Sequence, residues 1–417
     1  MSDVSVRKIH SYDRVVECMS DKSISIRAVL FNAFAVGGRV RIDNILLSDD
    51  VLSAVDCAKR LGARIELDGN SAYIEGAPFA SCELDCGNSG TTARLLTGLL
   101  AGLNGTFTIT GDKSLSSRPM KRVTDPLKMM GADIVDTDGH LPLTVHGAPL
   151  HGIEYKMPVA SAQVKSAIML AAINAVGTTT IIEPTKSRDH SENMLRAMNG
   201  NVKVDGDRIE IGRSIIHSQY FTVPGDISSA AFPICLALAS GGKCVVKNVG
   251  INKTRTGILD VLENIGANIK YSNVVNTAEP SADITVVGDG KLKPFAIDGD
   301  IVPRLVDEIP VLCALACFVD GVSVVKGAGE LKVKETDRIA TVTAALSALG
   351  ADIVPTDDGM IIRGGKKLKF GVVDPKLDHR IAMAAAVAGA AGEGVKILDG
   401  DCVSVSYPNF YKEVIGD

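Results

Sequence analysis

There is no tryptophan in this chain, and aromatic residues make up only 4% of it. Few flat rings are available for bases or sugars to stack on, which weakens a nucleic-acid or carbohydrate-platform reading. Positive charge is not in excess either: 44 Lys and Arg stand against 49 Asp and Glu, for a net charge of −5. Without a global basic field for nucleic acid or an anionic membrane, any anion site must come from local clustering. The nine cysteines, Cys18, Cys57, Cys82, Cys86, Cys235, Cys244, Cys313, Cys317 and Cys402, include no CxxC pair. An odd, scattered set argues against a disulfide framework and against structural zinc. Cys313 and Cys317 lie four apart in an apolar run and read as core packing rather than redox chemistry. The apolar runs break well short of a membrane span, and the opening MSDVSVRKIHSYDRV has no apolar signal core. These absences point to a soluble protein of a reducing compartment. No GxGxxG follows a first strand, and GNSGTTARL at 87–95 lacks the lysine of a P-loop.

What is there is a repeat. The chain has 417 residues, 46% hydrophobic and 22% charged, enough for two or three domains. Six β-like runs follow a glycine: GGRVRI from Gly37, GTFTI from Gly105, GTTTII from Gly177, GGKCVV from Gly241, GVSVV from Gly321 and GVKIL from Gly394. Behind the first five comes a helix pattern ending at Gly62, Gly131, Gly200, Gly266 or Gly350, where glycine suits the left-handed C-cap. An alternating strand follows each. Between these units lie helices apolar nearly all round, such as TTARLLTGLLAGL, IPVLCALACFV and RIAMAAAVAGAA, and a helix apolar on every face is buried. The fold expected is α/β: two domains, each of three repeated strand-helix units around buried helices. A Rossmann or TIM arrangement fits less well, because the apolar helices look central. The last unit is cut short, and VSVRKI near the start could complete its sheet. That puts both termini in one domain, 1–14 with 226–417, and 15–225 in the other. Crossovers fall at 14–20 and at Pro224-Gly225.

One stretch concentrates charge. KVKETDRI at 332–339 holds Lys332, Lys334, Glu335, Asp337 and Arg338 directly ahead of an apolar helix pattern. A helix start exposes free N–H groups and a partial positive charge, which favour a bound anion. A carboxylate held there among cations can move protons beside that anion. Capping alone would explain a single such stretch, but the pattern recurs. Lys22, Ser23 and Arg27 stand at AVLFNAFAV, and Gly90 and Arg94 at TTARLL. Ser161, Ala162, Gln163 and Lys165 open the next helix, Asp226 the one after, and Asp307 with Glu308 precede IPVL. Asp378, His379 and Arg380 open IAMAAAV, while Ser116, Ser117, Arg118 and the run 187–190 add surface members. Cations in a first turn oppose the helix dipole, and a bound anion reverses that sign. Asp226 is explained by capping, and Lys165 by a helix-surface position. The reading is a cleft between two domains where dipoles and Lys/Arg converge on multiply anionic substrates. Asp307 and Glu335 are its proton-transfer candidates, as carboxylates among cations, and neither sits in a nucleophile arrangement. His379 reads as catalytic or, more simply, as a support.

Together these motifs resemble a known family over essentially the whole chain, the 5-enolpyruvylshikimate-3-phosphate synthases. The runs that carry the resemblance are DKSISIRA, GNSGTTARLL, SLSSRPM, ASAQVKSA, SRDHSENML, DISSAAF, VDEIP, KVKETDRI and DHRIAMA, in that order. The resemblance implies an inside-out α/β barrel of two domains that close on substrate. It implies a transferase of the shikimate pathway, leading to chorismate and the aromatic amino acids. The enolpyruvyl group of phosphoenolpyruvate moves to the 5-hydroxyl of shikimate 3-phosphate and phosphate leaves, by addition and elimination through a tetrahedral intermediate. No metal, cofactor, nucleic acid or membrane is implied, and the enzyme is expected to be a cytoplasmic monomer.

On this resemblance Lys22 contacts both substrates and assists proton transfer. Ser23, Arg27, Ser161, Ala162, Gln163, Ser187, Asp307 and Lys334 would hold shikimate 3-phosphate. Gly90, Arg94, Arg118, Gln163, Glu335, Arg338 and Arg380 would hold phosphoenolpyruvate. Asp307 would take the hydroxyl proton, and Glu335 would handle protons at the methylene carbon. The chain departs from the family pattern in places. Met19-Ser20 replaces the usual Pro-Gly, and Ile26 a polar residue. Ala162 stands where some members have Ser, Glu330 where some have Asn, and Val405 where some carry a Lys on phosphoenolpyruvate. The nearby Tyr407-Pro408 step suggests that Val405 lies in an extended segment, facing cleft or core. A related enolpyruvyl transferase acting on a UDP-sugar would need a reactive cysteine in a mobile loop, and Cys82 and Cys86 lie in no such context. A non-catalytic binding protein would not need Lys22, Asp307, Glu335 and Arg380 together.

Overall fold

One repeat shows how the pattern becomes structure. Strand Cys82–Asp85 leads into the buried helix Gly90–Leu100, and strand Thr106–Thr110 returns parallel to the first. The surface helix Lys121–Met129 follows, then Asp133–Thr137 and His140–His146, which close a four-stranded sheet by antiparallel pairing. The same order recurs with helix Ala162–Ala172, flanked by Glu154–Lys156 and Thr178–Ile182, and with helix Ile309–Ala316, flanked by Ala296–Ile297 and Gly321–Val325. The computed structural model describes residues 2–289, 291–299 and 301–416. Its contacts divide the chain into Met1–Met19 with Gly225–Asp417, and Ser20–Pro224. Among the described residues each unit holds three sheets, all four-stranded but for one of three strands in the Gly225–Asp417 part.

The expected boundary after residue 14 cuts a strand and needs correction. Asp13–Glu17 pairs in parallel with Lys243–Gly250, which ties the chain as far as Met19 to the Gly225–Asp417 part. Phe221–Thr222 does the converse, pairing with Val40–Asp43 inside Ser20–Pro224. Val4–Val6 pairs antiparallel with Val395–Ile397, completing the short last sheet.

Burial follows the composition of the helices. Every residue of Gly90–Leu100 and of Ile309–Ala316 is buried. In the larger unit Ile227–Ser240, Ile309–Ala316 and His379–Ala391 pack on one another within a single core. In Ser20–Pro224 the Gly90 and Ala162 helices meet backbone to backbone: a Cβ at Gly98 would lie 2.1 Å from the Ala167 carbonyl oxygen. Gly98→Ala must therefore push two main chains apart, and is expected to cost about 1–3 kcal/mol, read as a lower melting temperature.

One expected glycine cap is absent. Gly200 does not take the left-handed conformation; Asn199, at φ +65°, takes it one residue earlier. Asn tolerates that region through its short polar side chain. No helix among the described residues is long and apolar enough to cross a membrane.

Candidate active site

In both units the polar side chains collect at the N-terminal ends of the buried helices. In Ser20–Pro224 the helix Lys22–Phe34 is capped by Asp21, whose carboxylate accepts from the Ile24 N–H at 2.8 Å. Lys22 at its first position pairs with Asp50 at 2.9 Å. Arg27, one turn in, is buried; it donates to Ser191 Oγ at 2.9 Å, Ser166 Oγ at 3.0 Å and the Ser23 carbonyl at 3.0 Å. The Gly90 helix is capped by Ser89. Ala162 begins its helix, and Ser161 at the cap position makes no side-chain capping bond, so its hydroxyl is not committed to the helix end.

The cations here differ in their partners. Arg94 is buried and donates to the Gly90 carbonyl at 3.2 Å and Gln163 Oε1 at 2.7 Å, both uncharged. Gln163 is oriented in turn by Thr91 Oγ1 at 3.0 Å. Arg118 donates to Asn88 Oδ1 at 3.0 Å. Burial pulls the Arg94 guanidinium down to about 10, with Arg122 and Arg118 adding repulsion. Among the described residues neither Arg94 nor Arg118 has an ion pair. Gly90 lies beneath both: a Cβ there would be 2.7 Å from Arg94 and 3.5 Å from Arg118. This corner attracts an anion by charge, and a side chain at Gly90 would crowd it.

Lys165 does not occupy the expected surface position. It is fully buried and pairs with Glu183 at 2.9 Å and Glu192 at 2.6 Å. Ser187 donates to Glu183 from its hydroxyl at 2.5 Å and its N–H at 3.3 Å.

In the other unit the cations are already matched by carboxylates. Helix Arg338–Ala348 is capped by Asp337, and a short 3-10 turn, Gly329–Val333, precedes it. Arg338 is 1% exposed and holds three acids: Glu335 at 2.5 Å, Asp378 at 2.8 Å and Asp307 at 3.4 Å. Asp378 also caps the helix His379–Ala391 through the Arg380 N–H at 3.0 Å. Asp307 has Arg255 and Arg380 within 3.9 Å as well, and its carbonyl accepts from Arg380 at 3.3 Å. Lys334 pairs with Glu330 at 2.7 Å, so the departure at Glu330 places a counter-charge on that lysine. Asp226 caps its helix and also pairs with Arg255 at 2.7 Å, more than capping alone required. Desolvation raises the Glu335 carboxyl, but Arg338 and then His379 overrule it and hold it well below the ordinary carboxylate range. His379 itself is buried.

Val405 is not in an extended segment. It ends the 3-10 turn Gly400–Val405, because the constraint from Pro408 reaches only Tyr407, and the side chain is 36% exposed rather than core.

The structure thus gathers Lys22, Ser23, Arg27, Gly90, Arg94, Arg118, Ser161, Ala162, Gln163 and Ser187 in one unit. It places Asp307, Lys334, Glu335, Arg338 and Arg380 in the other. Sequence reasoning missed the partners Asp50, Arg255 and Glu183. Asp50 lies in the first turn of helix Asp49–Leu61, and Arg255 sits in KTRTG, a basic run before a helix that was available as a signal.

Similarity to known proteins covers nearly the whole chain. The family model for EPSP synthase (3-phosphoshikimate 1-carboxyvinyltransferase) matches residues 6–414. The 3-phosphoshikimate 1-carboxyvinyltransferase of Bacillus cytotoxicus is 47% identical, over 98% of this chain and 99% of its own. That of Thermoanaerobacter sp. is 47% identical, over 98% and 99%. A solved EPSP synthase from Acinetobacter baumannii superposes with a TM-score of 0.89 at 36% identity, over 99% of this chain and 97% of that one. With that agreement along its length, this chain belongs to the EPSP synthase family.

Proposed function

We propose that the two sets of residues divide the work of enolpyruvyl transfer between phosphoenolpyruvate and shikimate 3-phosphate. The 5-hydroxyl oxygen of shikimate 3-phosphate bonds to the central carbon of phosphoenolpyruvate while the methylene carbon takes a proton. Elimination then returns a proton and releases phosphate. The observation that carries the division is the difference in pairing. Arg94 and Arg118 have only uncharged partners, so they gain most from an anion. They hold phosphoenolpyruvate above Gly90, with Gln163 beside them. Ser23, Arg27, Ser161, Ala162 and Ser187 hold shikimate 3-phosphate, and Lys22 touches both. Across the other unit, Asp307 takes the hydroxyl proton. In the addition Lys22, which touches both substrates, supplies the proton to the methylene carbon; in the elimination Glu335, ionised at rest, accepts a proton from the methyl carbon. Arg380, Arg338 and Lys334 complete the anion contacts by exchanging their carboxylates for ligand.

Both sets act on one pair of ligands, so the units close on them. Small-angle scattering should show a smaller radius with shikimate 3-phosphate and an unreactive phosphoenolpyruvate mimic; an unchanged radius counts against closure. The protein works as a cytoplasmic monomer, which light scattering on the purified enzyme checks. The decisive assay is phosphate release with phosphoenolpyruvate and shikimate 3-phosphate. Release with a UDP-sugar instead, or with neither, would overturn the reading.

Val405→Lys probes the missing cation. The side chain is part exposed on a short turn, so stability should change by no more than about 0.5 kcal/mol. Phosphoenolpyruvate affinity should rise, with a steeper salt dependence. A large drop in melting temperature would show a burying environment and sink this view of the position.

A further inference from the structure

Lys165, Glu183 and Glu192 form a buried charged trio that the reaction does not use. Their side chains are 0%, 2% and 2% exposed. A buried salt bridge is rarely the cheapest way to stabilise a core, since apolar residues of like volume often do better. Its presence calls for a reason, and its position supplies one. Glu183 uses one oxygen for Lys165 and the other for Ser187, taking both the N–H and the hydroxyl of that residue. Ser187 is thereby fixed at two atoms by a carboxylate that Lys165 fixes in turn. On the same rung, Ser166 next to Lys165 and Ser191 next to Glu192 bond each other at 2.6 Å, and both accept from Arg27.

We propose that Glu183, anchored by Lys165, is a positioning residue that sets Ser187 for shikimate 3-phosphate. This rests on the reading that Ser187 touches that substrate. The lysine has a second effect. A carboxylate directly behind Ser187 would repel an anionic ligand, and Lys165 cancels that charge at 2.9 Å. Glu192 shares the same ammonium at 2.6 Å, and burial pushes its carboxyl up against the pull of Lys165. Lys165 thus holds both carboxylates in place, with Glu183 the acceptor for Ser187.

The test is a double-mutant cycle on shikimate 3-phosphate affinity, measured by titration calorimetry on the full chain, with Glu183→Gln, Ser187→Ala and both together. Each single change should weaken binding about tenfold, the scale of one hydrogen bond. The double variant should be scarcely weaker than either. For Glu183→Gln, turnover at saturating shikimate 3-phosphate should stay near wild type, so the effect lies in KM. Effects that multiply would overturn the proposal, because Glu183 would then act on the fold and not through Ser187. If Ser187→Ala binds normally, the reading of Ser187 as a ligand contact falls, and the proposal falls with it. Should Glu183→Gln fold poorly, Lys165→Met with Glu183→Gln and Glu192→Gln removes all three buried charged groups and replaces it in the cycle, with the same two outcomes deciding.

Discussion

Glu335→Gln lowers turnover by roughly 10²-fold or more, the scale of a general acid–base group, while both substrates bind nearly as before. The change keeps size and removes the charge and the ability to accept a proton, while Arg338 keeps Asp378 and Asp307. Glu335 is well placed to show it: Arg338 holds it from one side, and the side chain is 34% exposed on the other, so a reacting carbon can reach it. The pH profile sharpens the test. Its folded value is depressed below the unfolded carboxylate value of about 4.3, so its pairing is fully present above that value and is lost only as pH falls through the lower folded one. Glu335 therefore stays ionised from pH 5 to 8. Any acid limb of kcat/KM in that window belongs to another group and should survive in Glu335→Gln at the lower rate. An acid limb that disappears with the substitution would contradict the depressed carboxyl. Collapsed binding with normal single-turnover chemistry would make Glu335 a structural residue.

How much of this was legible depended on the kind of interaction. The sheets follow from glycine-led runs and all-apolar helices, because period and composition are local properties. A helix cap was equally plain at Asp226, which sits one residue before its helix and does cap it. Long-range pairing was not legible. Nothing in ASAQVKSA tells a surface lysine from one buried between Glu183 and Glu192, since those acids come 18 and more residues later. The rule that a cation in a first turn awaits an anion failed for Arg338, whose acids are already in place, while Arg94 has uncharged partners. The difference is whether acids from other repeats arrive: Gln163 meets Arg94, but Asp307 and Asp378 meet Arg338. Val405 shows the limit of a local rule, because a proline restrains only its immediate neighbour.

Arg338→Ala should lose more than a ligand contact. Its guanidinium binds Asp378 through Nε at 2.8 Å and through a second nitrogen at 3.4 Å, and it reaches Glu335 and Asp307 with the same fork. Asp378 is 0% exposed, so it cannot turn to water when the arginine goes. Removing one partner of a buried pair leaves an uncompensated charge and costs about 3–5 kcal/mol. Arg338→Ala is therefore expected to melt far lower, with phosphoenolpyruvate binding lost as well. Those two effects separate in one further variant. Asp378→Asn in the Arg338→Ala background removes the stranded charge, and Asn still caps the helix, since it ranks with Asp at that position. The double variant should recover most of the lost stability. Phosphoenolpyruvate affinity should remain weak, by about 1.5–3 kcal/mol for a charge-assisted contact, while shikimate 3-phosphate still binds. If affinity returns together with stability, Arg338 serves the fold alone. If stability does not return, the cost lies in Glu335 and Asp307, and the same neutralising test moves to Asp307.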